Sequence, residues 1–129
     1  VTPNEQEAER LLNRALITRA HFVEAATRIK AMGAESVILS LGSRGVVAMN
    51  GTHLLEAVPP RIDAVSPLGA GDALAAAFVW ANRKKKDFAD SVRWGVAAGT
   101  ASTKLPGVEF ASLDQTKEIY KSVEVRLVR

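Results

Sequence analysis

Three short clusters in this sequence carry the residue types that phosphoryl chemistry needs. The first is Gly69-Ala70-Gly71-Asp72, which stands where an irregular segment turns into an Ala-rich helix. The first N–H groups of a helix have no partners within it and the helix dipole adds positive potential, so such a place attracts phosphate. Gly69 and Gly71 allow the backbone to come close to an anion, and the amides around Ala70, Gly71 and Asp72 can surround the charge that develops during transfer. A carboxylate at Asp72 points into the same place and can accept a proton from a hydroxyl. Taken alone, these four residues also read as an ordinary helix start, with a glycine entry and an acidic first turn.

The second cluster, Ser40-Leu41-Gly42-Ser43-Arg44-Gly45, leaves an apolar run at its C-terminal end, the place where open α/β sheets bind ligands. Its plainer reading is a strand connection with an exposed Arg44. No GxxxxGK[ST] spacing occurs, which excludes the common P-loop architecture. The third cluster is Asn4 with Glu7, where an amide can bond a phosphate oxygen and a carboxylate can hold a metal-bound water. The same pair is the signature of a capping box. Gly95 and Gly99 fit either an adenine ring or close packing of a helix. His21 and His53 are isolated, without the neighbouring ligands that a metal site demands.

The elements that must position these clusters follow from periodicity. Asn4 opens a helix whose stripe is Leu11, Leu12 and Ala15, and a second helix from about His21 to Met32 sets Phe22, Ala25, Ala26 and Ile29 on one face before Gly33. Ser36 to Leu41 is nearly continuous apolar sequence, as in a parallel strand covered on both sides. Val46 to Met49 and Leu54 to Val58 flank Asn50-Gly51 and read as a hairpin through a tight two-residue turn. Gly69-Ala70-Gly71-Asp72 is expected to lead into a helix running to about Asn82, and further helices are expected from Phe88 to about Lys104, with Asp87 as cap and Pro106-Gly107 as stop, and near Leu113 to Lys121. An apolar tail, Val123 to Val128, follows. The expectation is an α/β fold, with helices on a mainly parallel sheet and an antiparallel edge hairpin. Because Val1-Thr2-Pro3 leads straight into a helix, the start reads as though a strand of the same sheet preceded it.

Composition narrows the function classes. The chain has 129 residues, 47% of them hydrophobic, which suits one domain and no more. A formal net charge of +3 with 24% charged residues is ordinary, and the Arg83–Lys86 run lacks the interleaved aromatics of a nucleic-acid surface. The absence of cysteine removes disulfide scaffolds, thiolate zinc sites and cysteine nucleophiles. No run approaches the roughly 18 apolar residues of a membrane span, and no apolar leader opens the chain, so a soluble, cytoplasmic protein is expected.

Taken together, Pro3-Asn4-x-x-Glu7, Ser40-x-Gly42-x-x-Gly45 and Gly69-Ala70-Gly71-Asp72 resemble the ribokinase-like (phosphofructokinase-B type) carbohydrate kinases, in order and at fitting distances. Leu39-Ser40-Leu41-Gly42 and Thr2-Pro3-Asn4-x-x-Glu7-Ala8 look most like the 1-phosphofructokinase and tagatose-6-phosphate kinase branch. The resemblance spans the whole chain but only the later portion of a family member, so residues 1–129 would be the nucleotide-binding and catalytic C-terminal part of a longer fold. It implies Asp72 as catalytic base and Gly69, Ala70 and Gly71 as anion hole. It also implies Ser40, Leu41, Gly42, Ser43, Arg44 and Gly45 as nucleotide contacts, with Val58, Ala98 and Ser102 near the adenine. Asn4 and Glu7 would handle magnesium and phosphate, Glu7 through water. ATP and Mg2+ are the implied cofactors, a sugar phosphate such as fructose 1-phosphate or tagatose 6-phosphate the acceptor, and a homodimer the assembly when full length. The isolated chain would be inactive, because such kinases hold their sugar largely in the earlier portion. Two positions depart from the family's habit, Thr2 where lysine is common and Pro67 where a hydroxyl residue is common. The rival readings are a nucleotide-binding or regulatory module without turnover, and a dinucleotide-binding α/β domain, for which the strand–GxGxxG–helix unit is missing.

Overall fold

A computed structural model of the chain describes residues 1–66, 68–106 and 110–128. The departure at Pro67 and the helix stop at Gly107 lie outside the described residues. Five α-helices and four strands follow one another as α1 (Glu5–Leu12), α2 (Arg19–Ala31), β1 (Val37–Ser40), β2 (Val46–Met49), β3 (Leu54–Val58), α3 (Ala70–Arg83), α4 (Phe88–Thr103), α5 (Leu113–Tyr120) and β4 (Glu124–Leu127). The strands form one sheet in the order β1-β2-β3-β4.

Successive side chains of a strand point to opposite faces, and this alternation builds two cores. Val37, Leu39, Val47, Met49 and Leu54 face α1 and α2, where Ala8, Leu12, Phe22, Ala25, Ala26 and Ile29 cover them. Ile38, Val46, Ala48, Leu55 and Ala57 face the other way, against Leu74 of α3, Val92, Val96, Ala97 and Ala101 of α4, and Ile119 of α5. Ile38, Leu39 and Leu55 are at most 1% exposed, and burying one such side chain is worth about 1.5–3 kcal/mol.

The sheet differs from the mainly parallel one expected: all three strand pairs are antiparallel. The reversal after β1 explains this. A 3-10 turn over Gly42–Arg44 is flanked by Gly42 at φ 63° and Gly45 at φ 94°, conformations that glycine adopts without penalty, and the chain folds back at once. Continuous apolar sequence reflects helices on both faces here, without any crossover. The parallel element is the lead-in to α1, where Val1 O accepts from Ile38 N at 2.9 Å and Pro3 O from Ser40 N at 3.0 Å, ending in an isolated parallel bridge between Asn4 and Ser40. The apolar tail forms β4, which pairs with β3 through Leu55–Leu127 to Val58–Glu124.

Helix starts are set by side chains. Asn4 and Glu7 form a capping box, with Asn4 Oδ1 accepting from Glu7 N at 2.8 Å and Glu7 Oε1 from Asn4 N at 2.9 Å. α2 starts at Arg19, two residues earlier than expected, because Thr18 caps it, with Oγ1 accepting from His21 N at 3.2 Å while His21 Nδ1 accepts from Ile17 N at 3.1 Å. The hairpin turn is wider than two residues: Asn50 Oδ1 accepts from Thr52 N at 3.0 Å and from His53 N at 2.7 Å.

Glu56 of β3 ties the layers together. Its side chain is 13% exposed and accepts from Arg19 at the start of α2 and from Arg126 of β4 at 2.9 Å. Burial pushes the carboxyl up, but the guanidiniums of Arg126 and Arg19 outweigh it and hold the group below its ordinary value of 4.5. A depressed folded value adds stability above the unfolded titration and loses it as pH falls through the folded one. Glu56→Gln should therefore cost on the order of 1 kcal/mol at pH 7, with the gap from wild type closing as denaturation is repeated below pH ~4.5. A second expectation concerns the reversal. A Cβ at Gly45 would stand 2.0 Å from Ala57 O, whereas one at Gly42 meets nothing within 4 Å. Gly42→Ala should cost about 1–2 kcal/mol for its left-handed backbone, and Gly45→Ala clearly more, by chemical denaturation.

Candidate active site

The helix that begins at Ala70 starts unlike the other four α-helices. Asn4, Thr18, Asp87 and Ser112 cap α1, α2, α4 and α5 with side-chain hydrogen bonds, whereas no side chain caps α3. Gly69 is its N-cap, at φ 80° and ψ −4°, and the first intrahelical bond runs from Ala73 N to Gly69 O at 2.9 Å. The amides of Ala70, Gly71 and Asp72 precede that bond, so three donors and the positive end of a 14-residue helix face outward. Asp72 is the third residue of the helix and exposed, and no hydrogen bond or ion pair engages it among the described residues. Gly69, not Asp72, is the N-cap, so the helix start has the glycine entry and the acidic first turn expected from the sequence.

The left-handed backbone sits at Gly69 and not at Gly71. Gly71 has no positive φ, and a Cβ there meets nothing within 4 Å, which leaves its backbone open to an approaching anion. A Cβ on Gly69 would approach Phe110 Cε1 to 3.1 Å.

The position of this helix start is set by α4. Added Cβ atoms at Gly95 and Gly99 would lie 3.0 Å from Leu74 O and 3.0 Å from Ala70 O, so both glycines serve close helix–helix packing, not an adenine ring. Thr103 O, at the end of α4, accepts from Val65 N at 2.7 Å and Ser66 N at 3.0 Å and so anchors the loop that leads into α3.

The other two clusters come together at the end of β1. Asn4 bridges Ser40 at the end of β1, Arg44 pairs with Glu5 at 2.6 Å, and the Arg44 guanidinium lies 5.1 Å from the centroid of the Phe22 ring. Arg44 is thereby held in place, and Ser40, Leu41 and Ser43 line the same reversal as Gly42 and Gly45. Leu41 N donates to Gly45 O at 2.8 Å, closing the loop on itself. Of the adenine neighbours, only Val58 offers surface, at 42% exposed. Ala98 is 7% exposed, and Ser102, 1% exposed, accepts from Ala111 N through Oγ at 3.1 Å. Ser102 is thus a fastener for the segment after α4. Phe110 and Thr103 carry no sequence signal, because their work depends on contacts with residues more than thirty positions away.

Glu7 spends Oε1 on the capping box, and a lone exposed carboxylate with one oxygen engaged suits a water-mediated ion, not a caged one. Among the described residues there is no group of three or more His, Cys, Asp or Glu that could hold a metal, and no helix long and apolar enough to cross a membrane.

Residues 1–115 match the pfkB family of carbohydrate kinases. The ATP-dependent 6-phosphofructokinase isozyme 2 of Escherichia coli K12 is 35% identical over 93% of this chain and 39% of its own length. The 1-phosphofructokinase of Haloferax volcanii is 33% identical over 98% of this chain and 42% of its own length. The crystal structure of phosphofructokinase-2 from Escherichia coli superposes with a TM-score of 0.88 at 34% identity, covering 94% of this chain and 40% of that one. The chain thus spans about two fifths of the length of the relatives it matches. With the three motifs in place on a matching fold, the chain belongs to the pfkB family of carbohydrate kinases, the ribokinase-like group that its motifs resemble.

Proposed function

We propose that this chain supplies the nucleotide-binding and phosphoryl-transfer part, residues 1–129, of an ATP-dependent kinase acting on a hydroxyl of a ketose phosphate. The observation that carries the reading is the uncapped start of α3, with its free amides beside an exposed, unpaired Asp72. Family membership adds the reaction class. The names of the relatives add fructose 6-phosphate as an acceptor to test beside fructose 1-phosphate and tagatose 6-phosphate.

The chemistry is positioning and electrostatics. The acceptor hydroxyl gives its proton to the Asp72 carboxylate as its oxygen bonds to the γ-phosphorus of ATP, and the bond from that phosphorus to the bridging oxygen breaks to release ADP. The amides of Ala70, Gly71 and Asp72 take up the charge on the transferring group, which the dipole of α3 supports. Ser40 to Gly45 and Val58 lie along the nucleotide, with Ala98 and Ser102 behind them. Magnesium would neutralise phosphate charge, held through water by Glu7 with Asn4 alongside. The resemblance puts the sugar site largely in the earlier portion of a family member, and the chain spans about two fifths of its relatives' length, so the chain alone should bind nucleotide weakly and not turn over.

Asp72→Asn in the complete gene product tests this. The side chain is exposed and unpaired, so folding should change by no more than the roughly 0.3–1 kcal/mol of a first-turn charge. Asn cannot accept the proton, and kcat should fall by about 10²–10⁴ with KM for ATP little moved. A kcat within threefold of wild type would remove Asp72 from the reaction.

A further inference from the structure

The chain on either side of the Gly69–Gly71 turn is fastened to the same place. Thr103 O, the last residue of α4, accepts from Val65 and Ser66 before the turn, and the buried Ser102 Oγ accepts from Ala111 N on the far side of α4. The second fastening carries Phe110 with it. Its ring lies against Gly69: a Cβ placed on that glycine would be 3.1 Å from Cε1, 3.6 Å from Cζ and 3.9 Å from Cδ1. Phe110 is 57% exposed, so it contributes little to either core, and its contact with Gly69 is what the structure shows it doing. The turn it touches is the one described α-helix start with no side-chain cap, entered through a residue at φ 80°. A turn with so few hydrogen bonds of its own needs an outside contact to hold its amides in one orientation.

We propose that Phe110 is a positioning residue for phosphoryl transfer: its ring, anchored through Ala111 to Ser102, presses on Gly69 and fixes the direction of the Ala70–Asp72 amides. The inference deepens the kinase reading above and rests on it. A loosened turn misdirects donors that count most in the transition state, so the loss falls on kcat and spares ground-state nucleotide binding. Leucine keeps an apolar contact over Gly69 where alanine does not reach it.

The test is steady-state kinetics on the complete gene product with Mg·ATP and, in turn, fructose 1-phosphate, tagatose 6-phosphate and fructose 6-phosphate. Phe110→Ala should lower kcat by about ten- to a hundredfold, as displacements of catalytic groups do, with KM for ATP within threefold and an unchanged melting temperature. Phe110→Leu should recover most of that kcat, and Ser102→Ala should lose kcat in the same pattern as Phe110→Ala. A kcat within twofold of wild type for Phe110→Ala overturns the proposal. So does an equal loss in the Ala and Leu variants that follows the melting temperature, since the ring would then be only structural. Asp72→Asn measured alongside separates the two failures. If Asp72→Asn is slow and Phe110→Ala is not, only this inference falls, whereas a fast Asp72→Asn, or a wild type inert toward all three sugars, removes the kinase reading together with it.

Discussion

The close approach of α3 to α4 decides where the candidate site stands. Two glycines one helical turn apart, Gly95 and Gly99, leave room for the carbonyls of Leu74 and Ala70, each of which would lie 3.0 Å from an added Cβ. Ala70 is also the first residue of the uncapped helix, so the contact that joins the helices fixes the height of the amides offered to a phosphate. Any side chain at position 99 would push the start of α3 outward, and the loop tied to Thr103 would have to follow.

That helix pair is in turn held by the sheet. Leu74, Val92, Val96, Ala97 and Ala101 share one core with the inward residues of three strands, while α1 and α2 cover the reverse face. Two groups of candidate residues are held by different elements, Asn4 and Glu7 with Ser40 to Gly45 where β1 ends beside the start of α1, and Gly69 to Asp72 where α3 begins against α4. Local bonds keep each group stiff: a capping box and the Glu5–Arg44 pair on one side, the fastenings to Ser102 and Thr103 on the other. Preorganisation of this kind is what phosphoryl transfer asks of a protein, because little covalent chemistry is left for side chains to perform.

Much of this was legible in the residues. Helix positions followed from caps and apolar spacing, and the three motifs were visible as residue types whose joint order resembles one family. Sheet direction was not legible, since Val37 to Leu39 is apolar throughout in a covered strand of either sense, and only the paired positive-φ glycines at 42 and 45 turn the chain back. β4 was hidden because its alternation of Glu124, Val125, Arg126 and Leu127 gains meaning only beside β3, some seventy residues earlier. Within the site, the lack of a partner for Asp72 and the left-handed backbone at Gly69 were not legible, because an acidic first-turn residue and a glycine entry look the same whether or not they cap. The hydrogen bond that Ser102 accepts from Ala111 N was likewise not legible, since no local spacing signals it.

The central claim is that the start of α3 receives the phosphates of a nucleotide. Amide chemical shifts of the 15N-labelled protein, followed as Mg·ADP is added, test it most directly. The account predicts saturable shifts concentrated at Gly69 to Asp72 and at Gly42 to Gly45, with α5 and β4 unmoved. Saturable shifts elsewhere with Gly69 to Asp72 silent, or no shifts at millimolar ligand, would contradict it.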